Sequence, residues 1–283
     1  MRNLDPVSVV GLFPQLRERL LTLLSGLTDE QWDAPTVCAG WTVKDVALHL
    51  LGGTAANVSR RRDGFGANFL SYVPEGGSLD DEATFVATIN GWNEGWVIAA
   101  RRLSPRLLCE LLDLTMRDLA DYFRTVDLLV TGGPVGWAGP EPAPVWLDVA
   151  REYTEHWTHQ AQIRDAVGAP LLDEPRLFAP VLATFMHALP HTLRHLARPE
   201  GTRLRVVVTG PAGGTWEVIR AGFGWEFARP RDAPADARVS LGQDIAWRLV
   251  TKGMTAREAR AHARIEGDEP LAAAVLEMVA IIA

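Results

Sequence analysis

The stretch PTVCAGWTVKDVALHL, residues 35–50, contains a loop followed by the start of a helix. Thr42 is a good helix N-cap, and Asp45 would lie in the first turn, where the helix dipole favours an anion. The apolar residues that follow recur three and four positions apart, as they do on one face of an amphipathic helix. The stretch therefore predicts a helix that begins after Thr42 and carries His49 at the edge of its apolar face.

The rest of the first part of the chain also has helical periodicity. Apolar residues recur at helical spacing in the segments 6–27, 78–105 and 145–167, and a shorter helical stretch covers 106–126. Ser78 with Asp81 resembles an N-terminal cap for the second of these segments. We therefore expect an all-α N-terminal region with four long helices, the pattern of a helical bundle.

The last part of the chain has a different pattern. A helix is predicted over 178–197, and the segments 204–208 and 216–219, separated by two glycines, have the character of a β-hairpin. Alternation returns at 237–241, and helical periodicity returns at 243–252, 255–262 and 270–282. Strands followed by helices indicate a smaller α+β domain. The 283 residues are enough for two domains, which we place at 1–172 and 173–283.

The composition is that of a globular protein, since 47% of the residues are hydrophobic and 22% are charged. A net charge of −7 argues against nucleic acid or an anionic membrane surface as the main partner. Cys38 and Cys109 are too few for a disulfide framework and favour a reducing compartment. Asp5 and Pro6 stand where the apolar part of a secretory leader should begin. We expect a cytoplasmic protein, and the sequence does not determine its oligomeric state.

Two nested Glu-x-x-x-His pairs lie in the segment REYTEHWTHQAQIRD, residues 151–165. Glu152 with His156, and Glu155 with His159, are each four positions apart, so both members of a pair project from the same side of a helix. With His49 from another helix, either pair would complete a set of two histidines and one carboxylate that suits zinc or another divalent metal. The alternative is a hydrogen-bonded pair on a solvated helix face. Periodicity places Glu152 and His156 nearer the buried side and favours that pair.

Residues 40–50 follow the pattern Gly-Trp-Thr-Val-x-Asp-Val-x-x-His-Leu, which resembles the signature of the mycothiol-dependent maleylpyruvate isomerase family in the DinB-like superfamily. Residues 155–168 are similar to that family's Glu-x-x-x-His-x-x-Asp block, and the segments 247–249 and 265–268 look like its C-terminal domain. The resemblance covers both predicted domains. It implies a DinB-like four-helix bundle followed by a sterol-carrier-like α+β domain.

The resemblance also implies the metal ligands. Family members hold a divalent metal, normally zinc, with residues that correspond to His49, Glu155 and His159 in this chain. Glu152 and His156 then have a structural role or support the ligands. Gln162 stands where the family usually has Asp, and it replaces an ionised acceptor by a neutral amide.

The function that the resemblance implies is that of an enzyme using a low-molecular-weight thiol such as mycothiol. The metal would bind the sulfur and lower its pKa, so that a thiolate meets a small electrophilic substrate. Isomerisation follows if the thiolate adds to a cis double bond, the adduct rotates and the thiol leaves, whereas transfer follows if the adduct is kept. Because of Gln162, we expect weak activity on maleylpyruvate itself. The alternative is a non-catalytic metal-binding scaffold or sensor whose C-terminal domain holds an apolar ligand.

Overall fold

A computed structural model describes residues 6–66, 69–79 and 81–281 of the chain. The described residues form two compact units. Of the described residues, the helical unit contains Val10–Val126 and Glu155–Leu171, and the sheet unit contains 6–9, Asp127–Thr154 and 172–281. The division into domains at 172 and 173 stays a prediction. Asp5, on which the expectation of no secretory leader rests in part, lies outside the described residues.

Helices make up most of the helical unit. In chain order they are α1 (Phe13–Ser25), α2 (Asp29–Trp32), α3 (Val43–Asn57), α4 (Glu82–Ala100), α5 (Pro105–Phe123) and, from Glu155 on, α6 (Val145–Val167). The helices predicted after Thr42 and over 145–167 are confirmed. The stretch predicted to be shorter forms α5, which has 19 residues like α4. Within the described part of the chain, the first 170 positions thus carry five helices of 13 or more residues, where four were predicted.

The start of α3 has the cap that its sequence predicts. The Thr42 hydroxyl accepts a hydrogen bond from the Asp45 amide at 3.3 Å, and the Asp45 carboxylate accepts one from the Thr42 amide at 3.1 Å. This reciprocal capping box satisfies two amides that would otherwise lack partners at the helix start. Arg101, at the end of α4, pairs with Asp45 at 2.8 Å. These contacts anchor the helix that carries His49.

The N-cap residue of α4 is Asp81, the second member of the predicted pair of Ser78 and Asp81. The Asp81 carboxylate accepts a hydrogen bond from the Thr84 amide at 2.8 Å. The Ser78 carbonyl accepts one from the Asp81 amide at 3.1 Å, in the turn before the helix. The carboxylate is favoured at this position because it also interacts with the helix dipole.

An apolar cluster fills the centre of the helical unit. Its buried members include the following residues of α1, α3, α5 and α6: Leu20, Leu24, Val43, Val46, Ala47, Leu48, Leu50, Leu51, Leu108, Leu112, Met116 and Ile163. The residues of α3 on either side of His49, Leu48 and Leu50, are at most 2% exposed. Packing therefore sets the rotation of α3 about its axis and leaves His49 partly buried. None of the described helices has the length and hydropathy needed to cross a membrane.

Among the described residues, the sheet unit has five strands. They are β1 (Arg203–Thr209), β2 (Gly214–Ala221), β3 (Gly224–Ala228), β4 (Ala237–Gly242) and β5 (Arg264–Gly267), in the order β3-β2-β1-β4-β5. β1 and β4 are parallel, and the other neighbours are antiparallel. The predicted hairpin is β1 with β2, and the strand predicted at 237–241 is β4. A helical N-terminal region followed by a mixed α and β region is thus confirmed.

The helices of the sheet unit differ from the prediction at two places. The last helices in chain order are α7 (Pro175–Phe185), α8 (Leu189–Thr192), α9 (Gln243–Val250), α10 (Ala256–His262) and α11 (Glu269–Ala273). The helix predicted over 178–197 is interrupted by a 3-10 turn at Met186–Ala188. Pro190 lies in the first turn of α8, where a proline is tolerated because the amide it lacks would have no partner within the helix. The helix predicted over 270–282 ends at Ala273 and continues as a 3-10 turn. β3 and β5 were missed because strands of five and four residues contain few alternations.

Candidate metal centre

Two helices of the helical unit bring His49, Glu155 and His159 together. His49 lies in the middle of α3, and Glu155 and His159 lie one turn apart on α6. One imidazole nitrogen from each histidine and one carboxylate oxygen all lie within 4.8 Å of one another. Within the described ranges, this is the one group of three or more histidine, cysteine or acidic side chains with that property. The structure thus juxtaposes the three residues that the family resemblance selects.

The carboxylate of Glu155 lies between the two imidazoles. Its Oε1 is 3.0 Å from Nε2 of His49 and 3.0 Å from Nε2 of His159. The two rings are nearly perpendicular, with centroids 4.6 Å apart and an interplanar angle of 73°. The side chains of His49 and His159 are 11% and 13% exposed, whereas that of Glu155 is 34% exposed. A small molecule can therefore reach the carboxylate side of the cluster.

The three groups change one another's protonation. Burial disfavours the charged form of Glu155, but the imidazoles of His159 and His49 outweigh burial and hold the pKa of Glu155 well below its ordinary value. Burial also lowers the pKa of His159, but the facing Glu155 carboxylate and the Cys38 side chain together outweigh burial and raise that pKa to about 10. At neutral pH these pKa values describe an ionised Glu155 beside a protonated His159. Binding of a metal ion to His159 Nε2 would release that proton.

Gln162 fixes the orientation of the His159 ring. Its Oε1 lies 2.7 Å from Nδ1 of His159 and accepts a hydrogen bond from Sγ of Cys38 at 3.3 Å. An amide oxygen can only accept, so Nδ1 carries a proton in this contact and Nε2 is the nitrogen directed at the cluster. Sequence reasoning singled out Gln162 but missed Cys38. The available signal was that Cys38 lies in the loop that leads into α3.

Trp41 packs against His49. Their ring centroids are 5.2 Å apart, and the indole Nε1 donates a hydrogen bond to Oε2 of Glu94 on α4 at 2.7 Å. Glu94 therefore holds the indole, and the indole restricts the tilt of the His49 ring. Sequence reasoning did not select Glu94, because a single acidic residue on a helix has no distinguishing pattern.

The other Glu-x-x-x-His pair does not belong to the cluster. Glu152 and His156 are 3% and 2% exposed, so periodicity was right to place them on the buried side of α6. The Glu152 carboxylate accepts a hydrogen bond from Arg151 Nη2 at 3.2 Å. His156 packs edge-on against Phe13, with ring centroids 5.5 Å apart. Their burial reflects packing, and the cluster contains Glu155 and His159 instead.

Comparison with solved structures shows a related fold. A crystal structure of a histidine-to-alanine mutant of the mycothiol-dependent maleylpyruvate isomerase is 13% identical to this chain, with 93% of each chain covered and a TM-score of 0.50. A second crystal structure of the mycothiol-dependent maleylpyruvate isomerase is 14% identical, covering 88% of this chain and 89% of that chain, with a TM-score of 0.46. At 13% identity, the first likeness concerns the fold alone.

A family model gives a direct assignment. The model of the mycothiol maleylpyruvate isomerase N-terminal domain matches residues 13–164, and this segment includes α3 and the cluster residues of α6. No curated protein sequence matches the chain significantly. Because the matched segment spans more than half of the 283 residues, the chain belongs to the mycothiol-dependent maleylpyruvate isomerase family.

Proposed function

We propose that this protein is a metal-dependent enzyme that uses a low-molecular-weight thiol, such as mycothiol, on a small electrophilic substrate. The observation that carries the proposal is the convergence of His49, Glu155 and His159 within 4.8 Å in a chain of this family. The reaction is an isomerisation of the electrophile or a transfer of the thiol to it.

The three side chains fit a divalent metal ion. They offer two imidazole nitrogens and one carboxylate oxygen, a donor set that zinc and other first-row divalent metals accept. Glu155 Oε1 is 3.0 Å from both Nε2 atoms, so the three donors already face one another. Gln162 engages Nδ1 of His159 at 2.7 Å and leaves Nε2 as the donor. Zinc is the favoured ion, with three protein ligands and at least one position left for a thiol.

When bound, such an ion supplies a Lewis acid that lowers the pKa of a coordinated thiol. The chain's own residues supply a negative charge next to the ion and fix the orientation of the two imidazoles. The Glu155 carboxylate, whose pKa is already low, contributes one negative charge at neutral pH. Gln162 holds one imidazole through Nδ1, and Trp41 limits the movement of the other and covers one side of it.

The neutral amide of Gln162 bears on substrate choice. Where the family usually has an ionised Asp, this chain has an acceptor without a charge, so the His159 imidazole keeps a hydrogen bond but the site receives no negative charge from this position. We propose that the metal is retained while the choice of thiol or electrophile differs. Activity on maleylpyruvate would then be weak.

The proposal also covers the type of each domain and the location of the protein in the cell. We propose a DinB-like four-helix bundle over 1–172, a sterol-carrier-like domain over 173–283, and a cytoplasmic location. Limited proteolysis tests the division, because cleavage between about 168 and 180 supports it and one cut near 100 that leaves two stable halves contradicts it.

The decisive experiment compares zinc-loaded wild type with His49→Ala, each purified without a histidine tag. The matched control is His262→Ala, because His262 is exposed and lies on α10 of the sheet unit. Wild type and control should hold roughly one equivalent of metal, as a single three-ligand site does. Both should consume mycothiol with at least one member of a panel of activated alkenes and alkylating agents.

His49→Ala should lose both the metal and the thiol consumption. Retention of the metal by this variant would remove His49 from the ligand set. If wild type shows no metal-dependent thiol consumption with any electrophile, the enzyme proposal is wrong and the non-catalytic scaffold or sensor is favoured. Efficient maleylpyruvate isomerisation would contradict the role given to Gln162.

A further inference from the structure

The indole of Trp41 lies between the carboxylate of Glu94 and the imidazole of His49. Its Nε1 donates a hydrogen bond to Oε2 of Glu94 at 2.7 Å, and its ring packs on that of His49 with an interplanar angle of 44°. Trp41 belongs to the loop before α3, His49 to α3 and Glu94 to α4, so three segments of the helical unit meet at this indole. Glu94 is thereby linked to the metal cluster through one aromatic side chain.

The backbone of Trp41 is fixed independently of its side chain. The Trp41 carbonyl accepts hydrogen bonds from the Thr36 amide at 3.0 Å and from the Thr36 hydroxyl at 2.9 Å, and the Trp41 amide donates to the Cys38 carbonyl at 3.0 Å. Gly40 has a φ of +79°, a conformation that glycine adopts without strain and that this turn requires. These bonds fix the Cα of Trp41 but leave the torsions of its side chain unset. The hydrogen bond to Glu94 sets them.

The position of α3 does not depend on Glu94. Asp45, near the start of α3, pairs with Arg101 at the end of α4 at 2.8 Å. Farther along, the Trp96 indole of α4 donates a hydrogen bond to the Leu48 carbonyl at 2.8 Å, and the Leu48 side chain is fully buried. Because these contacts hold α3 against α4, loss of the Glu94 bond would release the Trp41 indole and leave the helix in place.

The orientation of His49 depends on that indole. Nε2 of His49 lies 3.0 Å from Oε1 of Glu155, so a small rotation of the imidazole about its own side-chain torsion would turn this donor away from the other ligands. The Trp41 ring, 5.2 Å away, limits such a rotation on one side. Groups that orient a metal-binding histidine affect metal affinity almost as the ligands themselves do.

We propose that Glu94 is a positioning residue of the metal cluster, which orients His49 through the Trp41 indole. The effect requires a hydrogen-bond acceptor at position 94 and does not require its negative charge. The inference rests on the proposed function in one respect, that the cluster holds a metal ion. The orientation of His49 itself can be observed in metal-free protein.

The test compares Glu94→Leu, which removes the acceptor, with Glu94→Gln, which keeps an acceptor and removes the charge. Glu94→Leu should weaken zinc binding about tenfold, the lower end of the effect of such supporting groups, because it acts through a second side chain. It should also change the visible absorption bands of cobalt-loaded protein, which depend on the ligand geometry. Glu94→Gln should stay within about threefold of the wild-type zinc affinity and keep the cobalt bands, because its amide oxygen still accepts.

Proton NMR of metal-free protein adds a readout that needs no metal ion. The ring protons of His49, identified by their absence from His49→Ala, lie in the magnetic field of the Trp41 ring current. Their resonances should shift in Glu94→Leu and stay in place in Glu94→Gln. A role of Glu94 in overall stability alone would leave these resonances and the cobalt bands unchanged.

Glu110→Leu is the matched control, because it also removes one carboxylate from the helical unit. Glu110 is exposed on α5 and pairs with Arg106 one turn before it. Zinc affinity of this control should stay within about threefold of wild type, since exposed charges are screened by salt.

Trp41→Phe keeps an aromatic ring next to His49 but has no N–H to donate. It should weaken zinc binding about as much as Glu94→Leu does, and the double variant should be no weaker than either single variant, because both remove the same bond. Thermal unfolding checks that each variant is folded, and Trp41→Phe decides the matter if Glu94→Leu does not fold.

Three results would overturn the inference. They are wild-type zinc affinity and His49 resonances in folded Glu94→Leu or Trp41→Phe, a loss in Glu94→Gln as large as in Glu94→Leu, and an equal loss in Glu110→Leu. If wild type binds neither zinc nor cobalt, the proposed function is wrong, and the His49 resonances of the metal-free variants then decide whether Glu94 positions His49.

Discussion

Replacing Gln162 by Leu is expected to weaken metal binding at the cluster by about 10- to 100-fold, the usual effect of removing the partner of a metal-binding histidine. The Gln162 oxygen lies 2.7 Å from His159 Nδ1, and Leu has a similar volume but no acceptor. The His159 side chain is 13% exposed, so its Nδ1 proton would then lack a hydrogen-bond partner. Leaving such a buried donor unpaired costs about 1–3 kcal/mol of free energy. A 10- to 100-fold loss of affinity corresponds to about 1.4–2.8 kcal/mol, so the two magnitudes agree.

The assay is a competition titration for zinc against a chromogenic chelator of known affinity. Cys38→Ala is the matched control, because it removes the Cys38 side chain from both Gln162 and His159 and leaves the 2.7 Å contact between Gln162 and His159 in place. It should change zinc affinity by less than about threefold, since a thiol is a weak donor. Gln162→Glu, which keeps an acceptor, should retain the affinity. Zinc binding by a folded Gln162→Leu as tight as wild type, or an equally large loss in Cys38→Ala, would refute the role of Gln162.

Four further outcomes are expected. Gln162→Asp should change thiol-dependent turnover by a larger factor than it changes zinc content. Enzyme kinetics and metal analysis of the same preparation measure the two quantities. Thr42→Ala should lower the free energy of unfolding by about 1 kcal/mol in urea, and Thr42→Ser should restore most of it. Burial alone would raise the pKa of Glu217, but two arginines on β1 outweigh burial and lower it. The ionised Glu217 should therefore stabilise the folded protein above about pH 4.3, and this stabilisation should be lost as the pH falls through the lowered pKa. Glu217→Gln should remove this dependence of the unfolding free energy on acid pH. Burial lowers the pKa of His187 from 6.5 to about 4, so the unfolded chain binds a proton at a higher pH than the folded protein does. The free energy of unfolding should therefore fall by up to about 3 kcal/mol as the pH decreases across this range. His187→Phe should not show this decrease.

Local interactions explain what could be predicted without a structure. Thr42 and Asp45 form their capping box within a single helical turn, so the start of α3 follows from residues three positions apart. The i and i+4 spacing likewise places Glu155 and His159 on one side of α6 in any α-helix. The β1–β2 hairpin was predictable because its strands adjoin in sequence and alternate. Each of these features depends on neighbours along the chain.

Long-range packing decided the rest. Two Glu-x-x-x-His pairs have identical spacing; helical periodicity favoured Glu152 with His156, whereas the resemblance to the family selected Glu155 with His159. The rotations of α3 and α6, which their buried apolar faces impose, place His49 opposite Glu155 instead, at 3.0 Å. The same holds for Cys38, which lies 124 positions from Gln162 along the chain yet within 3.3 Å of it. The sequence by itself determined which residues could bind a metal and on which helices they lie, whereas tertiary structure decided which of them meet, because distances between helices depend on side-chain packing across the whole unit.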